Sequence, residues 1–103
     1  MDNLVILVTA PSEEDAARIG KAVVEEGLVA CANIIPRIRS IYKWDGDVCD
    51  DGETLMIMKT RNEKWGAVEK RVKELHGYDV PEIIAIPIEK GSEAYLNWIR
   101  ECT

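Results

Sequence analysis

The segment from Val29 to Trp44 is rich in β-branched residues and shows no helical repeat of apolar positions, so it predicts a strand, interrupted once at Pro36. At about 3.3 Å per residue such a strand runs roughly 50 Å, longer than a domain of this chain length is wide. It must bend or protrude. The acidic, glycine-containing stretch from Asp45 to Gly52 reads as a hairpin connection, and Thr54 to Thr60 as the returning strand, antiparallel to the first.

The rest of the chain is organised around this hairpin. Leu4 to Val8 is an apolar run ended by Thr9-Ala10-Pro11, a first strand. Ser12 followed by Asp15 resembles a capping box, and Ala16, Ile19, Val23 and Val24 recur at helical spacing up to Gly27, predicting a helix over 13–26. Asn62 is placed to cap a second helix over 63–76, with Trp65, Val68, Val72 and Leu75 along one face and Gly77 closing it. Tyr78-Asp79-Val80-Pro81 is a turn, and Ile83 to Ile88 a fourth strand. Ser92 then opens a last helix with Tyr95, Trp98, Ile99 and Cys102 on one face. The order βαββαβ plus a terminal helix predicts the α+β class: one ferredoxin-like domain over residues 1–103, a four-stranded antiparallel sheet with two helices on one face.

An antiparallel sheet with one solvated face alternates apolar and polar residues, and these strands do not. Leu4 to Val8, Val29 to Ala32 and Ile83 to Ile86 are apolar on both faces, and Leu55 and Ile57 oppose Met56 and Met58. Two helices cover one face. About five large apolar side chains on the other need burial, each contributing about 1.5–3 kcal/mol when removed from water. The terminal helix folding across that face answers part of this need. A homo-oligomer in which sheet faces and hairpin arms pack on neighbouring copies answers all of it.

With 13 Lys+Arg against 19 Asp+Glu, the net charge of −6 is the wrong sign for a nucleic-acid partner. No apolar run reaches the roughly 18 residues of a membrane span, and Met1-Asp2-Asn3 carries an acid where a signal peptide has a basic start. The expectation is a cytoplasmic protein with no nucleic-acid or membrane partner. Cys31, Cys49 and Cys102 form no CxxC pair, so free thiols are expected in place of a disulfide framework or a structural zinc site.

The sequence holds no G-x-S-x-G elbow or phosphate-binding loop, and Ser12, Ser40 and Ser92 sit in cap or strand contexts. His76, the single histidine, ends the second helix, where it can serve the helix dipole or act as a ligand. Met56, Met58, Cys31, Cys49, Cys102 and His76 are donors suited to copper, although Met-x-Met in a strand is also ordinary packing. The acids between Asp45 and Glu53 do not follow the calcium-loop spacing and read as a solvated hairpin tip. Other users of a ferredoxin-like fold are excluded by residue. The first loop, Thr9-Ala10-Pro11-Ser12, lacks the copper-chaperone CxxC; Pro11-Ser12-Glu13-Glu14 sets acids where an acylphosphatase cradles phosphate. Met56 and Met58 stand where an RNA-recognition module exposes aromatic rings.

Several segments in order, Ala30-Cys31-Ala32-Asn33-Ile34, Tyr42-Lys43-Trp44-Asp45-Gly46, Met58-Lys59-Thr60, and His76-Gly77-Tyr78-Asp79-Val80-Pro81-Glu82-Ile83, resemble the CutA divalent-cation tolerance proteins over essentially the whole chain. The resemblance implies a homotrimer, similar in architecture to the PII signalling proteins. It also implies a non-enzymatic role in tolerance of copper or other divalent ions, with metal bound weakly at His76 and Cys31. Two departures stand out: Val8 and Leu75 occupy positions where some members carry a cysteine and a second histidine. A site completed by a neighbouring subunit follows as an expectation, with Tyr78 and Glu82 as nearby donors. The alternative is a PII-like signalling or scaffold trimer binding a small ligand or a partner protein in intersubunit clefts. Basic groups near Lys59 and Arg61 converging on a pocket would mark an anionic metabolite.

Overall fold

The computed structural model describes residues 3–103, so the acidic start at Met1 and Asp2 lies outside the described residues. The elements are β1 (Asn3–Ala10), α1 (Glu13–Glu25), β2 (Cys31–Trp44), β3 (Asp47–Arg61), a 3-10 turn (Asn62–Lys64), α2 (Trp65–Leu75), β4 (Ile83–Pro87) and α3 (Glu93–Glu101). The strands form one sheet in the order β2-β3-β1-β4, with every pairing antiparallel, as the ferredoxin-like order requires. Among the described residues no helix is long and apolar enough to cross a membrane.

Local chemistry explains most boundaries. Ser12 is extended and its Oγ accepts the Asp15 N–H at 3.1 Å, satisfying a donor that the first turn of α1 cannot. At the other end Gly27, at φ 72°, lets the Leu28 N–H reach the Val23 carbonyl at 2.9 Å while its own N–H reaches that of Val24. The second helix differs from expectation at both ends. Asn62 starts a 3-10 turn and is not a cap, α2 begins only at Trp65, and His76 takes the C-terminal cap position expected of Gly77.

The hairpin connection is also shorter than expected. Only Asp45 (φ 53°) and Gly46 (φ 84°) turn the chain, the two positive φ values of a type I′ loop, so the acids from Asp47 to Glu53 lie on β3. There they pair across the strands: Arg39 donates to Asp50 through Nε at 2.9 Å and Nη2 at 2.6 Å, and the Tyr42 hydroxyl donates to Asp51 at 2.7 Å. The ladder slips between Ile35 and Ile38, at the proline that has no N–H to give it. The buried Thr54 hydroxyl takes up the Pro36 carbonyl at 2.9 Å. The molecule measures 44 × 25 × 23 Å, its long axis reflecting the hairpin arm.

One face of the sheet packs on α1 and α2. Leu4, Ile6, Val8, Met56 and Met58 meet Ala16, Ile19 and Val23 of α1 and Val68 and Val72 of α2. Gly20 sets the approach of α1, since a Cβ there would lie 3.0 Å from that of Ala32. On the opposite face Val5, Leu7, Leu55 and Ile57 are half-buried, and Ile84 and Ile86 are each 49% exposed. Helix α3 covers one end of that face only. Ile99 is buried there, Asn3 Nδ2 donates to the Leu96 carbonyl, and Arg61 donates to the Thr103 carbonyl at 2.8 Å. Tyr95, Trp98 and Cys102, placed on one face of the helix with Ile99, are exposed.

Candidate functional site

A concavity of about 780 Å³ lies where the hairpin, the end of β1 and the turn over 77–82 meet. Its walls include Thr9 from β1, Arg39, Tyr42 and Trp44 from β2, and Glu53 from β3; Tyr78, Asp79 and Glu82 come from the turn. His76 pins that turn. Its Nε2 lies 2.7 Å from the Thr9 carbonyl, and its Nδ1 accepts the Tyr78 N–H at 3.1 Å. These partners assign the tautomer, because a carbonyl can only accept and an amide N–H can only donate. The ring also meets that of Tyr78 at a centroid distance of 4.8 Å.

The polar groups of the cleft are largely committed to one another. The Tyr78 hydroxyl donates to Glu53 at 2.9 Å. Burial, and then that bond, push its phenol well above the usual range. The bond to Asp51 pushes the Tyr42 phenol up to about 12. Arg39 holds the Asp50 carboxyl below its ordinary value, and its own charge is answered by that forked pair. Glu53, Asp79 and Glu82 therefore leave the cleft with an excess of negative charge.

The two residues expected to hold metal do not meet within one chain. Cys31 aligns with Lys59 and through it with Val5, whereas His76 bonds Thr9, roughly 13 Å farther along β1 at the rise of a strand. The half-buried Cys31 thiol lies 3.7 Å from the Tyr95 hydroxyl, a contact that raises the Tyr95 phenol. Among the described residues no group of three or more His, Cys, Asp or Glu gathers as a metal site. Lys59 donates to Asn33 and Arg61 to Thr103, and neither lines the cleft. Tyr78 and Glu82 line it beside the pinned turn. Nothing in the sequence pattern marks Thr9, Tyr42, Trp44 and Glu53 as lining, because their meeting depends on the tight Asp45-Gly46 turn that sets the register of the arm.

The chain matches the family described as "CutA1 divalent ion tolerance protein" over residues 4–102. It is 52% identical over 99 residues to the divalent-cation tolerance protein CutA of Thermus thermophilus, covering 96% of each chain. A solved structure of the Thermus thermophilus divalent cation tolerance protein superposes with a TM-score of 0.95 at 50% identity, covering 98% of both chains. CutA1 from Oryza sativa gives 0.96 at 43% identity, covering all of this chain and 94% of that one. Family match, sequence identity and superposition agree: the chain belongs to the CutA1 divalent ion tolerance family.

Proposed function

We propose that this protein acts without catalysis as a cytoplasmic homotrimer in divalent-cation tolerance, binding copper or another divalent ion weakly at a site completed between copies. The family membership supports the cation role. The observation that carries self-association is the row of apolar side chains on the second sheet face, Val5, Leu7, Leu55, Ile57, Ile84 and Ile86, which α3 leaves uncovered. The long β2 edge and the short β4 edge also offer unpaired backbone that a neighbouring copy can use.

His76 fits weak binding. A metal would take the Nδ1 lone pair only by displacing the Tyr78 N–H, a loss of about 1 kcal/mol, and Cys31 would have to arrive from another copy. Calorimetric titration of metal-stripped protein with copper and with zinc, beside His76→Ala and with mass measured on the same samples, tests this. Saturable binding at about one ion per chain that His76→Ala abolishes, in an assembly of three chains, is the expected result. Binding indifferent to His76→Ala would leave the histidine as the pin of the turn alone.

The cleft favours a second reading, a signalling trimer that takes a small ligand. Its volume and its three aromatic walls suit an organic molecule better than a bare ion.

A further inference from the structure

We propose that the cleft selects an organic cation carrying primary ammonium groups, held by the carboxylates of Glu53, Asp79 and Glu82 against the rings of Tyr42, Trp44 and Tyr78. This inference rests on the second reading above and names its ligand class. Three features of the site point the same way. The first is sign: three carboxylates line the cleft against one guanidinium, and Arg39 already spends its charge on Asp50 through two hydrogen bonds. An anion would meet net repulsion, whereas a cation is drawn in by the lining and by a chain of net charge −6.

The second feature separates an organic cation from a metal ion. A hard divalent ion needs several oxygens converging at about 2.0–2.6 Å, and among the described residues no such group gathers. The phenol hydrogens of Tyr42 and Tyr78 are given to Asp51 and Glu53, so neither oxygen is available as a phenolate. A primary ammonium, a monovalent donor of three hydrogen bonds, does not require that convergence. It needs acceptors within hydrogen-bond reach and an aromatic face within about 6 Å of the charge, and the alkyl stem between ammonium groups packs on the same rings.

The third feature is rigidity. The turn that brings Tyr78, Asp79 and Glu82 is fixed to β1 by His76 through Thr9, and Tyr78 is fixed to β3 through Glu53. Tyr42 is held to β3 by Asp51 in the same way. Aromatic and acidic groups are thus presented from different elements in one arrangement, which lowers the ordering cost of binding.

The test is calorimetric titration of the intact assembly with spermidine and, separately, with a short end-capped oligolysine peptide, which distinguishes a free amine from a peptide side chain as the source of the ammonium. Inorganic phosphate and a neutral diol are run in the same buffer. Saturable binding of spermidine or the peptide, weakened about tenfold by Glu82→Gln and several-fold by Trp44→Leu but unchanged by Glu89→Gln, is the expected outcome. Glu89→Gln removes the same charge away from the cleft, so an equal loss in that variant would mean general attraction to an acidic protein and overturn the proposal. Binding of phosphate or the diol, lost in Trp44→Leu while both cations are refused, would overturn the ligand class and leave the cleft as a small-molecule site. Failure of all four probes would overturn both.

Discussion

The two faces of the sheet are built from the same residue types and meet different fates. On one, Ile6, Val8, Met56 and Met58 are fully buried beneath α1 and α2; on the other, Ile84 and Ile86 are half exposed and Val5, Leu7, Leu55 and Ile57 only partly covered. Strand sequence alone cannot distinguish them, because an apolar side chain is equally suited to either face. What distinguishes them is the supply of helices. Two amphipathic helices cover one face and α3 reaches only the end of the other, so the first face stabilises the single chain and the second is left largely without cover.

The largest effect is expected on the covered face. Met56→Ala leaves a cavity in a closed core and should lower the unfolding free energy by about 2–5 kcal/mol, measured by denaturant titration at every protein concentration. Ile84→Lys should behave differently. Its side chain is half exposed in the single chain, so the variant should fold but lose up to about 1.5–3 kcal/mol of association per copy. Sedimentation should show a lighter species, and stability should fall only at concentrations where the parent is assembled. Equal destabilisation by Ile84→Lys at high dilution would break the comparison.

The sequence was legible where a local rule and the tertiary context agreed. Ser12 and Gly27 bound α1 because capping and a left-handed residue are local needs, and the uninterrupted apolar strands disclosed a second face in need of cover. Asn62 misled because a cap residue is equally at home in a 3-10 turn, and the tertiary fit of Trp65 decides where α2 starts. The hairpin acids suggested a long solvated loop. Polarity resembles a loop signal, but Asp45-Gly46 satisfies a two-residue turn, and Asp50 and Asp51 beyond it are stabilised as strand by Arg39 and Tyr42 across the ladder. For the candidate site, Tyr78 and Glu82 lie close in sequence to His76 and were visible. Thr9, Tyr42 and Glu53 come from three strands, and no spacing encodes their meeting.

A smaller effect belongs to the arm, which neither face of the core supports. Gly46 sits at φ 84° with open space around it, so Gly46→Ala meets no clash and changes only the cost of the left-handed backbone. A loss of about 1 kcal/mol is expected, read as faster amide exchange in the arm while exchange at Ile6 and Met58 is unchanged. Protection lost equally in the arm and the core would show the two regions to be one cooperative unit.

The smallest effect is electrostatic and appears only in alkali. The bond to Asp51 raises Tyr42 to about 12 from an unfolded value of 10.0. Its contribution is therefore fully present below pH 10 and is lost as pH rises through about 12. Tyr78, buried and bonded to Glu53, and Tyr95, against Cys31, are shifted in the same direction. Since these are all three tyrosines of the chain, spectrophotometric titration should show phenolate forming at higher pH than in free tyrosine. In Asp51→Asn one tyrosine should move back towards pH 10, with stability at neutral pH nearly unchanged because the phenol can still donate to an amide oxygen. An unchanged titration in that variant would mean that the Tyr42 contact across the arm is not formed in solution, and the Tyr42 ring would then be free to leave the wall of the cleft.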